Sequence, residues 1–135
     1  MALIDWTEEL SVGIKMVDEQ HKELIRLLNE LNDALKAGKG QDIIGRVLVS
    51  LVDYTLIHFG TEETLFETHQ YPAYVAHKAE HDKLTNKVLE LKTKLDNRQV
   101  VFTVEVLIFL RDWLQKHIMR TDKQYSSFLI GRGVS

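Results

Sequence analysis

Six histidines are spread along this chain of 135 residues, and five of them, His21, His58, His77, His81 and His117, fall in register with apolar side chains recurring at helical spacing. His58 and Glu62 are four residues apart, as are His77 and His81. At about 100° per residue of α-helix, four steps return to within about 40° of the starting direction, so each pair projects from one helix face. Imidazole nitrogen suits iron, zinc, copper and nickel, and carboxylate adds a harder donor. A single histidine on an apolar face is ordinarily a hydrogen-bonded core residue, and a single His-x-x-x-Glu is ordinarily solvated. The set reads differently. Five imidazoles and a carboxylate buried without a shared partner would cost several kcal/mol, and a metal site satisfies all of them at once.

Five imidazoles exceed what one ion normally takes from a protein, so two ions with bridging carboxylates are expected. Glu62 can bridge. Asp122 is the second candidate, five residues after His117. Five steps of ideal α-helix would turn it about 140° away. If it is a ligand, the helix must widen by a π-type turn, unwind or kink at that point. Glu63, turned about 100° from Glu62, reads as solvent-facing. His69 lies outside the apolar stripes and reads as a solvated loop residue.

Proline and glycine are sparse, which favours long helices as the elements that position these groups. The apolar period predicts helices over about 18–37, 41–67, 72–95 and 99–127, with Pro72 in the first turn of the third and Thr103 on the inner face of the fourth. Gly38-Lys39-Gly40 separates the first two, 68–71 the next, and Asp96-Asn97-Arg98 the last. Such helices joined by short connections predict an all-α, up-down-up-down antiparallel four-helix bundle. Residues 1–17 read as an extended arm pinned by Ile4, Trp6 and Ile14. In this topology all five histidines lie at comparable height near one end. The whole of 1–135 reads as a single domain.

Composition narrows the function. Seventeen basic and twenty acidic residues leave a net charge of −3 without a long run of either sign, so no strongly basic nucleic-acid footprint is present. There is no cysteine, which excludes disulfides, zinc fingers and iron–sulfur clusters. Neither a signal peptide nor a membrane-spanning run is read, and a cytoplasmic protein without membrane insertion is expected, as a monomer or weak oligomer.

The order His21, His58-x-x-x-Glu62, His77-x-x-x-His81, His117-x-x-x-x-Asp122 resembles the hemerythrin family, specifically its bacterial single-domain members. Asp18-Glu19-Gln20-His21-Lys22, His58-Phe59, Glu62-Glu63, Tyr71-Pro72 and Asp112-Trp113-Leu114 carry the resemblance over nearly the whole chain. Gly60 departs from it mildly, as a flexible residue between His58 and Glu62. The resemblance implies two non-haem iron ions with an oxo or hydroxo bridge. By carry-over His77, His81 and His117 bind one, His21 and His58 bind the other, and Glu62 and Asp122 bridge both. The second iron then keeps one open position, where dioxygen is the implied ligand. Phe59, Trp113, Leu114 and Ile118 are the implied apolar walls. Reversible oxygen binding for storage, delivery or sensing is the expected function. The alternative is a di-iron enzyme that reduces dioxygen, peroxide or nitric oxide. Expected partners are dioxygen and either an oxygen-consuming enzyme or an external reductant.

Overall fold

The computed structural model describes residues 3–38, 41–97 and 104–135. The expected break at Lys39–Gly40, and the turn and fourth-helix start expected from Arg98 through Thr103, lie outside the described residues. Three rods are continuous: α1 (Lys15–Lys36), α2 (Gln41–His69) and α3 (Tyr74–Asp96). The fourth is built of α4 (Val104–Lys116), a π-helical turn (His117–Asp122) and α5 (Lys123–Gly131). α1 packs on α2 and α4, and α2 packs on α3, closing an all-α four-helix bundle.

Local chemistry sets the ends. α1 starts at Lys15, before the expected 18, because the extended Ile14 already accepts the Asp18 N–H at 2.9 Å. It stops where Gly38 adopts φ 69° and donates its N–H to the Leu35 carbonyl at 3.2 Å. α2 runs past the expected 67 to His69, so His69 is a half-buried helix terminus, not a loop residue. Gln70 then takes φ 55° and lets the Tyr71 N–H reach back to the Phe66 carbonyl at 2.9 Å. Pro72 does not open α3 as expected. It sits inside a turn closed by the Tyr74 N–H on the Tyr71 carbonyl at 3.1 Å, where its fixed φ suits the second position.

The arm is extended apart from one 3-10 turn, Glu8–Leu10. Asn29 fixes its start, accepting the Leu3 and Ile4 N–H groups at 2.9 and 3.1 Å and donating to the Ile4 carbonyl at 2.9 Å. Asp18 fixes its end, accepting from the Ser11 hydroxyl at 2.5 Å and the Val12 N–H at 2.8 Å. Ile4 and Ile14 are buried, and Trp6 is half-buried beneath the Lys22 ammonium.

These anchors give the bundle two apolar cores. The larger holds Leu24, Leu28, Leu31, Leu48, Leu84, Leu107 and Leu110, among others. A smaller one caps one end, joining Val12, Ile14 and Val17 to Phe66, Tyr71, Tyr125 and Leu129. One expectation is corrected here: Ile43–His69 of α2 is long and apolar enough to cross a membrane by length and composition. It packs between α1 and α3 and carries His58 and Glu62 buried in the bundle.

Candidate metal centre

Between the two cores the four rods turn seven polar side chains inward: His21 from α1, His58 and Glu62 from α2, His77 and His81 from α3, and His117 and Asp122 from the π turn. None is more than 4% exposed. Their donor atoms form two overlapping groups. Glu62, His77, His81, His117 and Asp122 make one, His21, His58, Glu62 and Asp122 the other, and within each group the donor atoms lie within 4.8 Å of one another. Only the two carboxylates belong to both.

The short approaches are all imidazole to carboxylate. Asp122 lies 3.0 Å from His21 Nε2, 3.0 Å from His77 Nε2 and 2.9 Å from His117 Nε2. Glu62 Oε1 lies 3.2 Å from both His58 Nε2 and His81 Nε2. Yet all five Nε2 atoms, Glu62 Oε1 and both Asp122 oxygens lack a hydrogen-bond partner among the described residues. Two ligands each about 2.1 Å from one ion, at a right angle, stand about 3 Å apart. Buried donor atoms at that separation, unpaired with each other, fit a pair of cations. A set of hydrogen bonds does not describe them.

The backbone explains why Asp122 joins. His117–Asp122 is π-helical, so the extra residue of the His117–Asp122 spacing is absorbed and the carboxylate returns to the inner face. Of the three departures the spacing permits, this is the one taken.

Partners that periodicity does not reveal hold the imidazoles in place. His58 Nδ1 donates to Gln20 Oε1 at 2.7 Å, His81 Nδ1 to Glu63 Oε2 at 3.1 Å, and His117 Nδ1 to Glu80 Oε2 at 3.1 Å. With the proton on Nδ1, each Nε2 keeps its lone pair for a metal. Glu63 is therefore not the solvent-facing residue expected; it is 20% exposed and braces His81. The Tyr125 hydroxyl donates to Glu62 Oε2. Gln20 and Glu63 flank donors in sequence and belong to the motifs that carry the resemblance, yet neither motif reveals a bracing role; Glu80 precedes His81 and belongs to none.

Electrostatics keep the two carboxylates ionised. Burial and the facing Asp122 push Glu62 up, but His58 and His81 outweigh them and hold its carboxyl below the ordinary value. Burial likewise opposes ionisation of Asp122, and His117, then His21 and His77, hold it well below the ordinary range. Burial favours neutral His117, while Asp122, Glu62 and Glu80 together raise its pKa. Two buried carboxylates held ionised attract cations.

A cavity of about 40 Å³ abuts the donors. Its lining includes Leu24, Leu51, Phe59, Trp113 and Leu114 beside His58, His117 and Asp122. The Thr55 hydroxyl there is committed to the Leu51 carbonyl at 2.7 Å. Phe59 stacks on His81 at 3.7 Å, and Trp113 on His117 at 4.4 Å, so these two walls also fix imidazole planes. Ile118, expected as a fourth wall, is not part of the lining. The π turn buries it fully in the larger core.

Comparison with known proteins converges on one group. The profile described as Hemerythrin HHE cation binding domain matches residues 12–129. A bacteriohemerythrin of Methylococcus capsulatus is 37% identical over 130 residues, covering 96% of this chain and 98% of the relative. One from Pseudomonas aeruginosa is 38% identical over 125 residues, covering 93% and 80%. A solved structure of wild-type hemerythrin superposes with a TM-score of 0.90 at 37% identity, over 95% of this chain and 98% of that one.

Proposed function

The chain belongs to the hemerythrin family, and on that premise we propose that it takes up and releases dioxygen reversibly at a pair of iron ions. His77, His81 and His117 would hold one ion and His21 and His58 the other, with Glu62 and Asp122, the two carboxylates common to both donor groups, shared between them. When bound, the iron pair supplies the two electrons that dioxygen draws on binding and returns on release. The observation that carries the reading is the apolar cavity of about 40 Å³ that opens onto His58, His117 and Asp122 of the seven-donor cluster.

Each residue set contributes separately. Leu24, Leu28, Leu51, Leu84, Val88 and Leu114 give the cavity walls that offer water no hydrogen bonds, so an apolar diatomic is favoured over water. Gln20, Glu63 and Glu80 hold the imidazoles with Nε2 inward, so no reorganisation is needed when a ligand enters. Phe59 and Trp113 lock two of those rings by stacking. Five imidazoles against two carboxylates make a donor set with few anions, which supports binding over oxidation.

The test is a cycle. The iron-loaded protein is reduced anaerobically, exposed to air, and then stripped of oxygen. A coloured adduct that forms and bleaches over repeated rounds is the expected result. Sustained oxygen consumption in the presence of a reductant, without a bleachable adduct, overturns the reading in favour of an enzyme.

A further inference from the structure

We propose that Gln20 is a positioning residue that sets how tightly the His21/His58 half of the centre holds its metal ion. The proposal rests on the two-metal reading above. The two halves differ in what stands behind their imidazoles. In the half built by His77, His81 and His117, two rings donate Nδ1–H to carboxylates, Glu63 and Glu80, each at 3.1 Å. A charged acceptor strengthens the hydrogen bond and makes the opposite nitrogen a better donor to a cation.

The other half has weaker support. His58 donates Nδ1–H to a neutral amide, Gln20 Oε1, at 2.7 Å. His21 is 0% exposed, and its Nδ1 has no hydrogen-bond partner among the described residues. For Nε2 of His21 to bind a cation, Nδ1 must carry the proton, and that N–H is then buried without an acceptor. Among the described residues Gln20 is thus the one side chain that accepts a hydrogen bond from an imidazole Nδ1 in this half.

Its own orientation is fixed from the far side. Gln20 Nε2 donates to Thr61 Oγ1 at 3.1 Å, and the Thr61 hydroxyl donates to the Ile57 carbonyl at 3.2 Å. The relay turns Oε1 toward His58 and leaves the amide no second arrangement that keeps both bonds. Gln20 bridges α1 and α2, one residue before a donor on the first and touching a donor on the second. Loss of such an outer partner weakens metal binding about 10–100-fold.

The experiment is graded chelation of the cobalt-loaded protein, read as metal per chain and as cobalt absorption. Wild type releases its ions in two steps with a plateau at one. Gln20→Ala lowers the chelator concentration for the first release about 10–100-fold and leaves the second within twofold. Gln20→Glu, which restores an acceptor and adds a charge, raises the first release above wild type. Glu63→Gln moves only the second. The proposal falls if Gln20→Ala releases its first ion as wild type does, or shifts both steps equally, as a purely structural residue would. A wild type that never holds two ions overturns the two-metal reading instead, and is read directly from metal content.

Discussion

On α2, His58 and Glu62 are four residues apart on regular helix; on the fourth rod, His117 and Asp122 are five apart across a π turn. Each segment delivers one imidazole and one bridging-type carboxylate to the same cluster. The first does so at the ordinary α-helical repeat and leaves its surroundings undisturbed. The second needs one extra residue, and that residue re-aims everything after it. It brings Asp122 inward, buries Ile118 in the larger core, and sets α5 so that Tyr125 and Leu129 cap the centre at 0% exposure. A regular spacing positions a donor. An irregular one positions a donor together with the element that covers it.

The most damaging way to break that comparison is to shift α5 out of the register that the π turn sets. Inserting one alanine between Asp122 and Lys123 leaves the π turn in place and rotates α5 by about 100°. Tyr125 and Leu129 then leave the cap, at about 2–5 kcal/mol for each large buried side chain. Metal analysis and calorimetry are expected to show fewer than two ions per chain and a Tm lower by roughly 10–20 °C. A variant with two ions and a wild-type Tm shows that the cap does not depend on the direction the π turn gives α5.

His58→Ala and His117→Ala come next and test whether the two segments are equivalent. Each leaves a buried carboxylate short of an imidazole, at about 3–5 kcal/mol. Both are expected to lose at least one ion per chain by elemental analysis. Retention of two ions by either one would set the segments apart.

Tyr125→Phe cuts the bond that joins α5 to Glu62 on α2. An unpaired Glu62 Oε2 costs about 1–3 kcal/mol, read as a lower denaturation midpoint. The same phenol carries a pH signature. Burial first, then the Glu62 and Asp122 charges, push the Tyr125 pKa well above its ordinary value. Its stabilisation is therefore complete below about pH 10 and is lost as pH rises through the folded value. Tm measured from pH 8 to 11 is expected to fall more in wild type than in Tyr125→Phe.

The smallest effect lies on the regular segment. Gly60 sits between His58 and Glu62 with nothing within 4 Å of where a Cβ would stand. Gly60→Ala is expected to add about 0.5–1 kcal/mol by lowering unfolded-chain entropy, with metal content unchanged. A drop in Tm or metal would mean that α2 needs its flexibility there.

The candidate ligands were legible because helical periodicity writes inward-facing polar groups into an apolar stripe. His21, His58, Glu62, His77 and His81 all read that way, and Asp122 read as a candidate that obliges the helix to depart from α geometry. Glu63 was misread because its 100° offset from Glu62 points it toward α3, where His81 stands, and a one-helix argument sees no neighbour. The cap was not legible either. Val12 and Ile14 lie in an arm without helical period, and they meet Tyr125 only after the π turn has fixed its direction.

From the sequence alone came the residues with periodic placement: four amphipathic rods, the five histidines they turn inward, and Glu62 among them. Tertiary structure decided what depends on pairs far apart in the chain. His117 finds Glu80 across 37 residues, His58 finds Gln20 across 38, and Tyr125 finds Glu62 across 63. The physical reason is range. A helix repeats every few residues and shows its own face, whereas an outer hydrogen bond or a cavity wall exists only once separate rods are docked at a particular height and rotation.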